Sequence, residues 1–163
     1  MSKVIIGLIG TLILGAAVFL MLQTTKTNHL ELEGSILKVR VMDTGDGGSL
    51  VVTDFRVKNP SRVPFVVETV EMTLEGAGGE KVVGRTISKS QMETVFQSKS
   101  VIGGKFNEIL SLQDRVGPGQ SMDRTAAARF EVPATAIDRR KSLHLRFDEI
   151  DGAVSEIADS SLR

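Results

Sequence analysis

An alternation of apolar and polar side chains is the feature that most constrains the fold of this chain. Between residues 51 and 58, Val51, Phe55 and Val57 fall on one side of an extended backbone, whereas Asp54 and Arg56 fall on the other. The same period recurs in three further segments: 37–41, 70–74 and 143–147. Because side chains alternate across a strand with a period of two, these runs predict half-buried β-strands.

Glycine-rich segments separate the alternating runs and predict turns, because glycine permits the positive φ that tight turns need. These segments are 43–49, 76–79, 116–120 and Asp151-Gly152. A further strand is expected at Ile109–Leu112. In the strand that contains 70–74, Glu68 falls on the apolar side of the alternation, which predicts a β-bulge near Val67. About seven short strands at this spacing predict a mainly β domain, built as an antiparallel two-sheet β-sandwich.

One segment breaks the strand pattern. From Ser88 to Lys99 the apolar residues recur at three- and four-residue steps, which predicts one short inserted helix. These residues are Met92, Val95 and Phe96. Ser90 and Glu93 have the spacing of a capping box. Such a face is typical of a helix that packs on the sandwich, and a cover over a groove for an apolar ligand is the alternative.

An uncharged run at the N-terminus predicts a membrane anchor. Val4–Leu22 contains no charged side chain, and a helix of that length spans roughly 28 Å, close to the hydrocarbon thickness of a bilayer. The predicted anchor residues are Val4, Ile5, Leu8, Ile9, Leu12, Leu14, Phe19 and Leu22. The predicted organisation is a cytoplasmic tail at 1–3, a transmembrane helix at 4–22, a linker at 23–34, a sandwich domain at 35–158 and a polar tail at 159–163.

A cleaved secretory signal is the alternative to an anchor. The only small-x-small triplet near the expected cleavage position, Gly15-Ala16-Ala17, lies inside the apolar run, and this favours a helix that is retained. Lys3 then stays in the cytoplasm and the domain faces the periplasm or the exterior. Small residues recur every four positions at Gly7, Thr11 and Gly15, which suits close helix contact or is ordinary anchor composition.

The link after residue 57 carries a family resemblance. The segment Val57-Lys58-Asn59-Pro60-Ser61-Arg62-Val63-Pro64-Phe65 resembles the signature of the late-embryogenesis-abundant type 2 proteins, also called the WHy domain. Pro60 and Pro64 cannot donate ladder hydrogen bonds and so mark a strand end and a strand start, while Asn59 caps the turned backbone.

This resemblance covers about residues 35–90. It implies an immunoglobulin-like β-sandwich, often behind a single membrane helix, associated with stress protection or binding and without known catalytic residues. The helix predicted at 88–99 departs from the family pattern.

Composition narrows the chemistry. The 20 basic and 20 acidic side chains cancel, and no cysteine, tryptophan or tyrosine is present. No long-range field therefore attracts nucleic acid, no disulfide or thiolate metal site can form, and flat platforms for sugars or single-stranded nucleic acid are scarce. His29 and His144 are the two histidines, His144 is predicted on the surface, and no Gly-x-Ser-x-Gly elbow is present. No catalytic residue, metal or cofactor is assigned.

Two clusters of charged residues have alternative interpretations. Asp43, Asp46 and Ser49 suit a solvated hairpin turn, with calcium binding as the alternative, although the calcium-loop spacing is missing. The run Arg139, Arg140 and Lys141 is the densest basic cluster and a candidate interaction surface for lipid headgroups or an acidic partner, with a solvated mixed surface as the alternative.

These patterns lead to two hypotheses of different classes. The first is a membrane-anchored, non-enzymatic β-sandwich whose partners are the bilayer and an envelope protein. The alternative is a carrier of a lipid or small apolar molecule, with the short helix as a lid. A hydrolase ranks third, because neither nucleophile nor base is identified.

Overall fold

The computed structural model describes residues 14–16, 31–98 and 102–160, with the side chain of Ser160 excepted. Residues 31–98 and 102–160 form a mainly β domain, and the described part of it has two short helices. In chain order its elements are β1 (Glu33–Asp43), β2 (Ser49–Lys58), β3 (Phe65–Glu75), β4 (Lys81–Thr86), α1 (Lys89–Ser98), β5 (Arg115–Val116), β6 (Ser121–Phe130), α2 (Ala134–Asp138), β7 (Ser142–Glu149) and β8 (Val154–Ser160).

The strands are antiparallel and follow the spatial order β1-β2-β6-β4-β3-β7-β8, with β5 paired to β3. We call β1, β2 and β6 the first sheet and β3, β7 and β8 the second sheet. The short strand β4 joins them, because its start pairs with Met72–Glu75 of β3 and its end, at Arg85 and Thr86, pairs with β6. The predicted antiparallel, sandwich-like β fold with an inserted helix is confirmed.

The two edge strands, β1 and β8, approach each other at the end where the chain enters the domain. The backbone N–H of Leu32 donates to the Ser155 hydroxyl at 2.8 Å. At Gly34 a Cβ would lie 3.1 Å from the Ile157 side chain and would collide with the carbonyl of Arg56. A residue without a side chain is therefore needed there for this close approach.

The main core fills the space between the two sheets. Phe55 of the first sheet and Phe147 of the second are buried, and their ring centroids are 5.3 Å apart. Each such fully buried large side chain contributes about 1.5–3 kcal/mol by removal from water. The inward positions predicted from the alternation are confirmed on β2 and β7, where Val51, Val57, Leu143 and Leu145 are also buried.

A second, smaller core lies on the outer surface of the first sheet, and we call it the outer core. Helix α1 and residues 102–110 cover this surface. The buried residues of the outer core are Leu50, Val52, Met92, Ile102, Ile109 and Ala127, with Val95 and Phe96 packed against them. The predicted packing of the helix on the sandwich is confirmed, and β2 is consequently buried on both of its faces.

A buried ion pair accompanies this cover and corrects the sequence prediction for one residue. The alternation predicts Asp54 on a solvent-facing side, yet this residue is 3% exposed. Its carboxylate accepts a hydrogen bond from Arg40 at 2.9 Å, and it also binds the Thr125 hydroxyl and the Asn107 amide. The alternation alone would leave the Asp54 face of β2 open to solvent. In this domain α1 and residues 102–110 cover that face.

The strands contain two β-bulges, of which the sequence predicts one. The register between β3 and β7 shifts between Val67 and Thr69, which confirms the bulge expected near Val67. A second shift occurs in β1 between Ile36 and Lys38. The alternation predicts that Leu37 faces the core, but this second bulge leaves it 49% exposed.

Two further local predictions are wrong. The helix α1 is capped two residues earlier than expected, because the Ser88 hydroxyl accepts from the Gln91 N–H at 3.4 Å and the Gln91 side chain accepts from the Ser88 N–H at 3.0 Å. The pair Ser90 and Glu93 is therefore not the capping box. Residues 109–112 form an isolated bridge, Ile109 to Thr125, in place of a strand.

The predicted anchor, Val4–Leu22, lies outside the described residues except for residues 14–16, which are helical with Leu14 71% exposed. In the described parts of the chain, no helix has both the length and the apolarity that a bilayer crossing requires.

Candidate functional site

A cleft opens in the wall of the sandwich just beyond the end of β4. It has a volume of about 460 Å³ and lies between Val70 of β3 and Ala126 of β6. The apolar residues that line it are Val70, Ile87, Met92, Leu110, Leu112 and Ala126. This volume is in the range of about 300–1,000 Å³ that is usual for small-molecule sites.

The cleft lies at the junction of the two cores. Leu110 and Ala126 belong to the main core, and Val70 packs against it. Met92 belongs to the outer core, and Ile87 packs against that. An apolar group held here would therefore contact both cores at once, and its burial would be favourable without displacing either.

Polar groups are gathered at the mouth of the cleft, near the start of α1. Ser88, Ser111 and Lys89 line it. Thr86 is also present, but its hydroxyl donates to the Val70 carbonyl at 2.9 Å. This combination of an apolar floor and few polar groups is typical of a binding site, and it offers no evident nucleophile with a neighbouring base among the described residues. Sequence reasoning found only Met92 of these residues, because the cleft depends on where β4 ends.

A polar network lies on the outer surface of the second sheet, which we call the bare face because none of the described helices covers it. His144 Nε2 lies 2.7 Å from the Ser142 hydroxyl, and His144 Nδ1 lies 2.6 Å from Glu156 Oε1. The Glu75 carboxylate accepts from Ser142 at 3.1 Å and from Lys141 at 2.6 Å. The hydrogen bond from Lys141, followed by that from Ser142, lowers the pKa of Glu75.

The distances among Ser142, His144 and Glu156 resemble those of a hydrolytic triad, but the surroundings do not suit acyl transfer. In such a triad the serine hydroxyl donates its proton to the histidine, but the Ser142 hydroxyl donates to the Glu75 carboxylate at 3.1 Å, which competes with His144 for that single proton. Moreover, β7 runs between β3 and β8, so its backbone N–H groups are used in ladders on both sides. The network is suited to tying three strands together. The predicted outward position of His144 is confirmed, with its side chain 22% exposed.

The motif at Asn59 has a structural role in the fold. Asn59 is fully buried, and its amide donates to the carbonyls of Val63 and Val116 at 2.7 and 2.9 Å. Its side-chain oxygen accepts from both the N–H and the hydroxyl of Ser61, at 2.9 and 2.6 Å. All four hydrogen bonds that its amide can make are thus in place, and they join the link between β2 and β3 to β5.

The neighbouring prolines stand where the sequence predicts. Pro60 follows the end of β2, and Pro64 precedes the start of β3. Neither residue removes a donor from a ladder, since both lie outside the strands.

The basic cluster does not form one exposed patch. Arg140 is 8% exposed, and its guanidinium donates to the Ile137 carbonyl at 3.1 Å and to Asp159 at 2.8 Å. This contact holds α2 to the end of β8, so the prediction of a surface role is corrected for Arg140. Lys141 is exposed and bound to Glu75, and Arg139 lines a separate depression beside α2.

In the turn at residues 43–49, the aspartate carboxylates accept hydrogen bonds from within the turn itself. Asp43 accepts from the Gly45 N–H at 2.6 Å, and Asp46 accepts from Thr44 and Gly48 and binds Arg129. The Thr44 hydroxyl, more than any other contact, lowers the pKa of Asp46. These bonds support the interpretation as a hairpin turn. Within residues 31–98 and 102–160, no group of three or more His, Cys, Asp or Glu side chains could hold a metal ion.

Comparison with known proteins does not assign this chain to a family. No family model matches it, and no curated protein matches it. Solved structures with a distant likeness include an uncharacterized β-sandwich protein from Clostridium difficile, with a TM-score of 0.38 and 11% identity over 78% of this chain and 85% of that one. The archaellum periplasmic stator protein FlaG from Sulfolobus acidocaldarius has a TM-score of 0.35 and 9% identity, over 78% of this chain and 97% of that one.

The complex of FlaF and FlaG from the same organism gives a TM-score of 0.33 and 8% identity, over 80% of this chain and 87% of that one. No role is transferred from likenesses at this level.

Proposed function

We propose that this protein is a membrane-anchored, non-enzymatic binding module whose β-sandwich stands on the periplasmic or extracellular side and contacts an envelope protein. The observation that carries the proposal is the position of Leu32. This residue is 4% exposed in the main core and follows the apolar run Val4–Leu22 by ten residues. The ten steps from Leu22 to Leu32 can span at most about 36 Å when extended, so an anchor in the run would hold the domain close to the bilayer.

An exposed aromatic residue offers a contact point for a protein partner. Phe106 is 63% exposed, with Lys38 Nζ 4.7 Å from its ring centroid and the Arg40 guanidinium 5.1 Å from it. Aromatic residues, phenylalanine included, and arginine are enriched at the cores of protein interfaces relative to the rest of the surface.

The non-enzymatic part of the proposal is supported by the bare face. In the most triad-like group, Ser142 with His144 and Glu156, the Glu75 carboxylate competes with His144 for the single proton of the Ser142 hydroxyl.

Membership of the late-embryogenesis-abundant type 2 family, with its immunoglobulin-like sandwich and stress association, is part of the same proposal. The saturated hydrogen bonding of Asn59 supports it, because the family signature depends on a turn at this position. A deletion strain that survives desiccation and osmotic shock as well as its parent would remove the stress association and leave the anchored module intact.

Orientation and anchoring can be tested with single cysteines, because the chain has none of its own. In full-length protein, Asp151→Cys should react with a membrane-impermeant maleimide in intact cells, and Ser2→Cys should react only after lysis. A mature N-terminus after Ala17, or a protein recovered in the soluble fraction, would contradict the anchor.

The partner can be sought by replacing Phe106 with a photo-crosslinking amino acid in the full-length protein. Lys81 on the bare face provides a matched control position, since it is also exposed. We expect one discrete adduct from position 106 and none from position 81. Equal adducts from both positions, or none from either, would contradict a partner at this surface.

A second function is favoured by the cleft. A carrier of an apolar molecule would hold its cargo between Val70 and Ala126, with Met92 of α1 as part of the wall. Native mass spectrometry of the full-length protein should then show a bound apolar molecule that is lost in a Ser111→Trp variant, because the indole would fill the cleft. Identical spectra for both proteins would exclude the carrier.

A further inference from the structure

The cleft carries a charge bias that indicates what kind of apolar molecule fits it. Lys89 is the one charged side chain among the described residues that line it. The floor beneath consists of apolar side chains, with Leu110 and Ala126 at its base. A cation at the rim of an apolar cleft complements a molecule with an apolar tail and a negative head.

Two acidic residues near this rim form ion pairs with cations other than Lys89. Glu108 forms an ion pair with Lys105 at 3.0 Å, and Asp114 forms one with Arg124 at 2.8 Å. The hydrogen bond from Lys105 lowers the pKa of Glu108, and the charge of Lys89 acts in the same direction.

Lys89 itself makes no ion pair with any residue in the described part of the chain. Glu93 lies one helical turn further along α1 on the same side, but no contact within 4.0 Å joins the two. Lys89 is therefore not held in an ion pair within the described residues, and it is the charged side chain that lines the cleft.

We propose that the cleft binds a single-chain anionic amphiphile, such as an alkyl carboxylate, with its tail between Val70 and Ala126 and its head beside Lys89. This rests on the carrier function described above and assigns its ligand class. The positive charge of Lys89 favours the anionic head, and the apolar walls of the cleft remove the tail from water. A neutral ligand of the same shape gains only the second contribution.

Two fluorescent probes separate these contributions in the full-length protein. N-phenyl-1-naphthylamine is apolar and neutral, whereas 1-anilinonaphthalene-8-sulfonate adds a negative charge to a similar ring system. We expect both to bind, and we expect Lys89→Ala to weaken the sulfonate probe by about fivefold, the effect of roughly one exposed charge contact, without changing the neutral probe. Lys89→Arg should restore the sulfonate affinity.

Displacement identifies the head group. Decanoate should displace the neutral probe at lower concentrations than decyltrimethylammonium, and Lys89→Ala should remove that difference. Leu112→Ser, at the exposed rim, should weaken both probes without unfolding the protein, because Leu112 is 66% exposed.

The outcomes distinguish the two levels of the proposal. If neither probe binds, the carrier function fails along with the ligand class. If the neutral probe binds but decanoate and decyltrimethylammonium displace it equally, the carrier function survives and the assignment of an anionic head is overturned.

Discussion

The two outer surfaces of the sandwich are built from the same kind of alternating strand, yet one is covered and the other is bare. On the first sheet, α1 and residues 102–110 bury Leu50 and Val52 and enclose the ion pair of Arg40 with Asp54. On the second sheet, the equivalent positions carry exposed charged residues such as Arg146 and Glu156. The strands alone do not decide which surface meets water; the segments between β4 and β6 decide it.

This difference determines how much each polar contact contributes to the free energy of unfolding. A buried ion pair that loses one partner leaves an uncompensated charge in a low-dielectric setting, whereas an exposed pair is replaced by water. The covered surface should therefore respond strongly to substitutions, and the bare face should respond weakly.

The largest expected effect is at Arg40. Arg40→Ala leaves Asp54 buried without its cation and frees the carbonyls of Ile102 and Gly104, which the guanidinium now binds at 2.9 and 2.8 Å. We expect a loss of about 3–5 kcal/mol in the free energy of unfolding, measured by urea denaturation of the full-length protein. The double variant with Asp54→Leu should recover part of this loss, and a single-variant cost below about 1 kcal/mol would contradict the buried role.

The next effect tests whether the cover opens as a unit. Met92→Ala removes a side chain that is 2% exposed in the outer core, and we expect it to cost about 2 kcal/mol. Amide hydrogen exchange should accelerate in α1 while β3 and β7 keep their protection. Val83→Ala on the bare face is the control, since Val83 is 59% exposed. If amide exchange accelerated equally in both sheets, α1 and residues 102–110 would not open independently of the rest of the domain.

A smaller effect concerns pH and the bare face. Contacts with Lys141 lower the pKa of Glu75, and contacts with Arg146 lower that of Asp148. A depressed carboxyl pKa stabilises the folded state above the unfolded pKa, near pH 4, and this contribution disappears as the pH falls through the folded value. Glu75→Gln should therefore lower the stability at pH 7 slightly and flatten its decline below pH 4. An unchanged acid profile would show that Lys141 and Ser142 do not hold this carboxylate in solution.

The smallest effect is expected at Arg146. Its ion pair with Asp148, at 2.9 Å, is half exposed, and the Arg146 side chain is 49% exposed. Arg146→Ala should leave the urea midpoint unchanged within experimental error, because water replaces the lost contact. A shift as large as that of Arg40→Ala would remove the distinction between the two surfaces.

The fold could be predicted from the sequence where neighbouring strands are joined by short turns. The alternation around Phe55 and Phe147, with glycine-rich turns beside each strand, is sufficient for both hairpins and for the core between them. The predictions for Leu37 and Asp54 are wrong for a different reason. A bulge in β1 and a cover formed by residues about fifty positions away change their surroundings, and neither leaves a local signal.

The candidate site could be predicted only in part. The sequence assigns Met92 to a helix face, but the cleft beside it exists because β4 pairs with β6 for just two residues. The contact between Ser142 and His144 follows from their spacing on one strand, whereas their contacts with Glu75 and Glu156 depend on cross-strand register. Charge alone groups Arg140 with its neighbours, although its burial depends on docking of α2 against β8.

The bond between Leu32 and Ser155 has a mechanical consequence. Tension applied to the chain ahead of residue 31 reaches this single hydrogen bond first, and then the pair Glu33–Lys58 at one end of the β1–β2 ladder. Such a load breaks the hydrogen bonds between β1 and β2 one after another, which needs less force than breaking them all at once in shear. A force transmitted from the N-terminal side would thus withdraw Leu32 and begin to detach the outermost strand before it reached Phe55.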